Sequence, residues 1–107
     1  MSSKKKIIRA KFRNAVFVRD NYICRVCGRD DCSLDELDAH HITDRNEMPN
    51  GGYVPENGIT LCPQCHVMAE FEHTNGKPWP RYSRAELYEL VGSSHEEAVR
   101  ASEKLDG

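Results

Sequence analysis

The chain has 107 residues, of which 38% are hydrophobic and 7% aromatic, and its mean hydropathy is -0.70. That suffices for one small domain with a helical appendage but makes a thin core, which at this size usually needs a metal or disulfides to hold it. A net charge of -2 excludes a uniformly basic protein, the lack of any run near ~18 apolar residues argues against a membrane span, and no signal-like apolar stretch follows the amino terminus, so secretion is not expected.

Residues 1–7 read as a flexible basic tail. Residues 1–20 carry seven basic side chains (Lys4, Lys5, Lys6, Arg9, Lys11, Arg13 and Arg19) against Asp20 alone. Such an arm suits nucleic-acid phosphates and equally suits a solubilising tail, so charge leaves both open. From about Ile8 to Asn21 the apolar positions Ile8, Phe12, Ala15, Val16 and Val18 fall mostly at helical spacing, which predicts a helix. It leads into "CRVCG". The polar "GRDDCSLDE" is turn-like, and "LDAHHI" (37–42) reads as a short strand. "RNEMPNGGYVPENG" holds two prolines, three glycines and three asparagines in fourteen residues, which makes it a loop. "GITL" is the second strand, so the pair forms a hairpin with a long connection.

"CPQCHVMAEFEH" reads as a helix with Pro63 in its first turn and Val67, Glu70 and Phe71 along one stripe. "TNGKPWP" breaks the chain. Ser83-x-x-Glu86 is a capping box opening a helix with Leu87, Leu90 and Val91 as its apolar stripe. Gly92 ends it, and Ser94-x-x-Glu97 opens a last helix with Ala98, Val99 and Leu105. Residues 83–107 carry three basic side chains against six acidic ones, Asp106 among them. These helices look unsuited to DNA and are expected to cover the core or to meet a partner protein.

The chain has five cysteines, an odd number that cannot all pair. Cys24-x2-Cys27 and Cys62-x2-Cys65 are matched knuckles, and zinc takes four thiolates in a tetrahedron with each C-x2-C turn supplying two corners. Four reduced core cysteines would not require the matched spacing. A structural Zn2+ is therefore expected, contributing on the order of 10 kcal/mol to folding. A closed four-thiolate site leaves no open coordination position, so this metal is not catalytic. Cys32 is left as a free thiol.

Between and beside the knuckles stand His40, His41, Asn57 and His66. The ordered set "HHI…GG…NGITLCPQCH", with the lead-in "RNAVFVRDNYICRVCG", resembles the HNH endonucleases, the ββα-metal nucleases, in the subgroup carrying two CxxC knuckles. The resemblance covers about residues 13–71. It implies a small α+β zinc-stabilised domain with a ββα-metal, treble-clef-like core, an N-terminal helix and a C-terminal helical extension. The expected division is a tail at 1–7, the nuclease domain at 8–74, and a linker with helical extension at 75–107.

Successive strand side chains point to opposite faces, so His40 and His41 should not both bind one ion. The resemblance implies the same division: His40 and His66 hold a catalytic divalent metal (Mg2+, Mn2+, Ni2+ or Zn2+), His41 is the general base, and Asn57 fixes the loop that orients it. Asp38 shares a strand face with His40 and could orient its ring. Glu70 is read as a solvated helix position, His73 and His95 as surface residues.

The activity implied is phosphodiester hydrolysis in DNA, expected to be double-stranded, by nicking or cutting, with a 5′-phosphate and a 3′-hydroxyl as products. Lys11, Arg13, Arg19 and Arg25 are the nucleic-acid contacts expected near the first knuckle. "GKPWPRYSR" adds Lys77, Arg81 and Arg84 around Trp79 and Tyr82. A zinc-stabilised nucleic-acid-binding module without activity is the competing reading, although such a module needs neither Asn57 nor His66. By analogy with small stand-alone members of the family, the setting implied is the cytoplasm of a bacterial or phage-infected cell, with a phage packaging, restriction or mobile-element role.

Overall fold

The computed structural model describes residues 2–105; Met1, Asp106 and Gly107 lie outside them. Helix α1 spans Ser2–Arg19, strand β1 Asp38–His41, strand β2 Gly58–Leu61, and helices α2, α3 and α4 span Pro63–Asn75, Arg84–Leu90 and His95–Glu103. Three short 3-10 turns (Arg45–Glu47, Pro49–Gly52 and Pro55–Asn57) shape the long connection between the strands. The result is the expected small α+β fold. Among the described residues no helix is long and apolar enough to cross a membrane.

The strands pair antiparallel with Asp38 opposite Leu61, Ala39 opposite Thr60, His40 opposite Ile59 and His41 opposite Gly58. Ile59 and Leu61 are fully buried. Alternation along β1 therefore sends Asp38 and His40 to one face, and Ala39 and His41 to the other. α1 packs against the hairpin through Phe12, Val16 and Phe17, all buried. It approaches so closely at Gly58 that a Cβ there would collide with Val16 and sit 2.9 Å from the Phe12 ring.

α1 begins at Ser2 rather than about Ile8, so Lys4, Lys5 and Lys6 lie exposed on its first turns and not in a tail ahead of it. Phe17, not Val18, completes its buried face; Val18 is 54% exposed. In α2 the buried residues are Cys65 and Ala69, while Val67 is 69% exposed. The demand that Cys65 face the other sulfurs sets the phase of this helix, and that demand overrides the apolar pattern.

The C-terminal helices do not form a separate appendage. Ser83 caps α3 in a reciprocal box with Glu86, and the Ser94 side chain accepts from Glu97 N at the start of α4. Leu87, Tyr88 and Ala98 join the core cluster that holds Ile59, Leu61 and the buried cysteines. The division expected at residues 74 and 75 therefore does not divide the core, and these apolar side chains serve the chain's own interior.

Candidate active site

Two clusters of metal-ligand side chains form, one on each side of the start of α2. The sulfurs of Cys24, Cys27, Cys62 and Cys65 all lie within 4.8 Å of one another, with Cys27 and Cys62 at 3.7 Å. A tetrahedron with Zn–S arms of about 2.3 Å has edges of about 3.8 Å, so the cage has the size zinc requires. Burial pushes the Cys65 thiol up, and the neighbouring Cys24 and Cys62 sulfurs push it further. Burial raises Cys24 as well, but the backbone N–H groups of Cys27, Cys62 and Val26 outweigh it and bring that thiol down to about 7. A divalent cation is what lets four crowded sulfurs ionise together. The extension supports this cage too: the Tyr82 hydroxyl donates to Cys65 Sγ at 3.3 Å, and Arg81 donates to Val26 O at 3.0 Å. Cys32 has no part in it and packs half-buried against the core.

The second cluster is Asp38, His40 and His66, whose ligand atoms also lie within 4.8 Å of one another. His66 Nε2 is 3.2 Å from Asp38 Oδ2 and 3.2 Å from Glu70 Oε1, and His40 Nδ1 is 3.4 Å from the same Glu70 oxygen. Ligands about 2.1 Å from one ion at right angles stand about 3.0 Å apart, so the group fits a divalent cation. Bonding to His40 draws the Glu70 carboxyl down to about 2, against burial.

Two readings from the sequence change here. Asp38 does share a face with His40, but its carboxylate reaches His66 and joins the donor group rather than orienting the His40 ring. Glu70 is not simply solvated, since it bridges the two histidines. His73 also comes in from α2, its ring centroid 5.7 Å from that of His40. His95 remains exposed, beside Tyr88.

His41 projects to the opposite face, where its ring stacks on Phe12 at 4.5 Å and meets Tyr53 edge-on at 4.8 Å. It nevertheless lines the same cleft as Asp38, His40, Arg45, His66 and Glu70, a cavity of about 360 Å³. Burial, followed by the positive field of His40 and Arg45, lowers the His41 imidazole to about 4. Burial thus favours the neutral ring.

Asn57 is fully buried, and its amide is completely bonded. Oδ1 accepts from Thr43 N at 3.0 Å and from the Tyr88 hydroxyl at 2.7 Å; Nδ2 donates to Thr43 O at 3.0 Å and Gly52 O at 3.2 Å. Gly52 has φ +65°, and a Cβ there would lie 2.7 Å from Asn57 Nδ2, so the glycine lets the amide into the loop. Residues 24–72 match the family model described as HNH endonuclease. This segment belongs to the HNH endonuclease family. No curated protein and no solved structure matches the chain.

Of the basic residues expected to contact nucleic acid, Arg13, Arg19 and Arg25 have intramolecular partners. Arg19 is engaged internally: it pairs with Asp20 at 2.8 Å and donates to the carbonyls of Pro55 and Gly58 at 2.7 Å each. Asp20 in turn accepts from Thr60 N at 3.0 Å, so the pair fastens α1 to β2. Arg13 donates to Leu34 O and lies over the Phe17 ring, and Arg25 donates to Leu90 O. Arg84 pairs with Glu47 at 2.9 Å, and Trp79 leans on Phe71. Lys11 is exposed on α1 and Lys77 lies exposed beyond α2. Arg45, which the sequence reading passed over, lines the cleft and donates to the Tyr53 hydroxyl at 3.4 Å. Arg9 acts on that hydroxyl as well, and the two arginines outweigh the effect of burial to lower it. Their signal in the sequence is weak, because Arg9 and Arg45 lie about 36 residues apart, outside both knuckles, and nothing local hints that they meet.

Proposed function

We propose that this protein is a metal-dependent DNA endonuclease or nickase, with His41 as general base and Asp38, His40 and His66 as the holders of one divalent cation. The observation that carries the reading is the split of the histidine doublet: His40 faces His66 within the donor cluster, while the neutral His41 lines the same cleft from the other face. A cation held there would neutralise charge building on the phosphate and on the leaving oxygen.

The chain's own groups supply the rest. His41 takes a proton from water as the water oxygen attacks phosphorus. The bond from phosphorus to the 3′-oxygen breaks, giving a 5′-phosphate and a 3′-oxygen that is protonated from solvent. Asn57 keeps the segment after His41 fixed. Arg45 and Arg9, flanking Tyr53 beside His41, are the side chains placed to meet the flanking phosphates, in preference to Arg13, Arg19 and Arg25.

The test is cleavage of supercoiled plasmid with magnesium, manganese, nickel or zinc, beside calorimetric titration of the cation. His41→Ala should bind the cation as wild type does and lose turnover about a hundredfold or more, whereas His40→Ala should lose affinity for the cation. Indistinguishable cleavage by wild type and His41→Ala with every metal refutes the enzyme and leaves a zinc-stabilised nucleic-acid-binding module.

A further inference from the structure

Tyr88 lies on α3, sixteen residues beyond the end of the family match at residue 72, yet its hydroxyl reaches the loop behind His41. It donates to Asn57 Oδ1 at 2.7 Å and lies 2.7 Å from Thr43 Oγ1. A phenol has one proton. With that proton on Asn57, the Thr43 hydroxyl must be the donor to Tyr88. Thr43 N also donates to Asn57 Oδ1 at 3.0 Å, so a closed ring joins the Thr43 backbone, the Asn57 amide, the Tyr88 hydroxyl and the Thr43 side chain. All three residues are at most 4% exposed.

We propose that α3 is a working part of the nuclease site and that Tyr88 is a positioning residue for His41, acting through Asn57 and Thr43. The proposal rests on the nuclease reading above. An asparagine amide can present either end to its surroundings; Thr43 N fixes Oδ1 on its side, and the Tyr88 hydroxyl adds a second donor that holds Oδ1 in place. The amide nitrogen is then aimed at Thr43 O and Gly52 O. Asn57 also holds Ile42 N through its backbone carbonyl at 2.9 Å. Both residues that follow His41 are thus fixed by Asn57, whose Oδ1 Tyr88 braces.

The His41 ring needs this support. Among the described residues its buried Nε2 has no hydrogen-bond partner, and Phe12 and Tyr53 hold the ring by stacking and edge contact. Stacking permits sliding in the ring plane, so the backbone at residues 41–43 decides where the imidazole sits. A displacement below 1 Å matters for proton transfer from water.

The experiment uses the full zinc-loaded chain and the variants Tyr88→Phe and Thr43→Val, each removing one hydroxyl from the ring, with folding checked by circular dichroism. Plasmid cleavage with manganese gives kcat and KM, and hydrogen exchange reads the Thr43 and Ile42 amides. Tyr88→Phe should lower kcat about tenfold, hold KM within about twofold, and speed exchange at Thr43 without altering Ile59 and Leu61. The double variant should lose no more than either single one, because both break the same ring. Wild-type kcat with a wild-type Thr43 exchange rate overturns the proposal, as does a rise in KM with kcat intact. If Tyr88→Phe does not fold, Thr43→Val reads the same ring from its other side. If wild type cuts no DNA with any metal, the nuclease reading fails by itself and takes the catalytic part of this proposal with it. Thr43 exchange still decides whether Tyr88 fixes the loop.

Discussion

Replacing Asn57 by aspartate changes one NH2 for an oxygen at nearly constant volume, and the surroundings make the outcome calculable. Oδ1 keeps both of its donors, Thr43 N and the Tyr88 hydroxyl. The other oxygen is set against Thr43 O and Gly52 O, which the amide nitrogen now meets at 3.0 and 3.2 Å. Two carbonyls lose their only donor from this side chain, and a charge is buried beside two acceptors. At about 1–3 kcal/mol for each buried group left unsatisfied, the expected loss is about 3–5 kcal/mol near pH 7.

The sign of the pH dependence follows from the same geometry. Acceptor neighbours and burial raise the folded-state pKa of the new carboxyl above its unfolded value of ~3.9. The protonated form can donate to one carbonyl, so relative stability is greatest below the unfolded pKa and is lost as pH rises through the folded one. Urea unfolding of both proteins at pH 5 and pH 8, in zinc-containing buffer, measures the difference at each pH. The gap between wild type and Asn57→Asp should widen by about 1–2 kcal/mol from pH 5 to pH 8. A gap below 1 kcal/mol at both values would refute the bonding assigned to the amide.

Three further outcomes follow from the contacts around the two sites. Removing zinc with a strong chelator, or replacing Cys62 by serine, should abolish cooperative unfolding, because about 10 kcal/mol of metal-binding energy matches the whole stability of a small domain; unchanged near-UV circular dichroism would contradict this. Arg19→Ala should destabilise the fold by about 2–3 kcal/mol, read by urea unfolding, and leave the salt dependence of DNA binding unchanged. Arg45→Ala should do the reverse, lowering the slope of log K against log salt by about 1 in fluorescence-anisotropy titrations while stability stays near wild type.

Much of the site is legible in the sequence because its signals are local. The C-x2-C spacing belongs to a single tight turn, and two such turns in a short polar chain already imply one four-sulfur cage. The doublet His40-His41 carries its own rule, since adjacent strand residues must face opposite ways. Ser83 and Glu86 form their capping box within one turn of helix. None of these needs knowledge of what lies across the fold, and the family resemblance adds roles to residues whose spacing is already informative.

The tertiary structure decides what depends on neighbours distant in sequence. Arg19 looks like a phosphate contact until Pro55 and Gly58 turn their carbonyls toward it and Asp20 pairs with it. Arg45 and Arg9 look like ordinary surface charge until α1 brings them together at Tyr53. Asp38 and Glu70 become parts of a donor cluster only when α2 crosses the face of β1. Tyr88 carries no signal in its own helix, where it is one more buried aromatic. Its significance is a hydrogen bond to Asn57, thirty-one residues earlier, and such a bond comes from the packing of α3 against the loop rather than from any pattern within a segment. The chemical types at the site are local properties of the chain, whereas the partner of each charge and each buried proton is fixed only when distant segments exclude water between them.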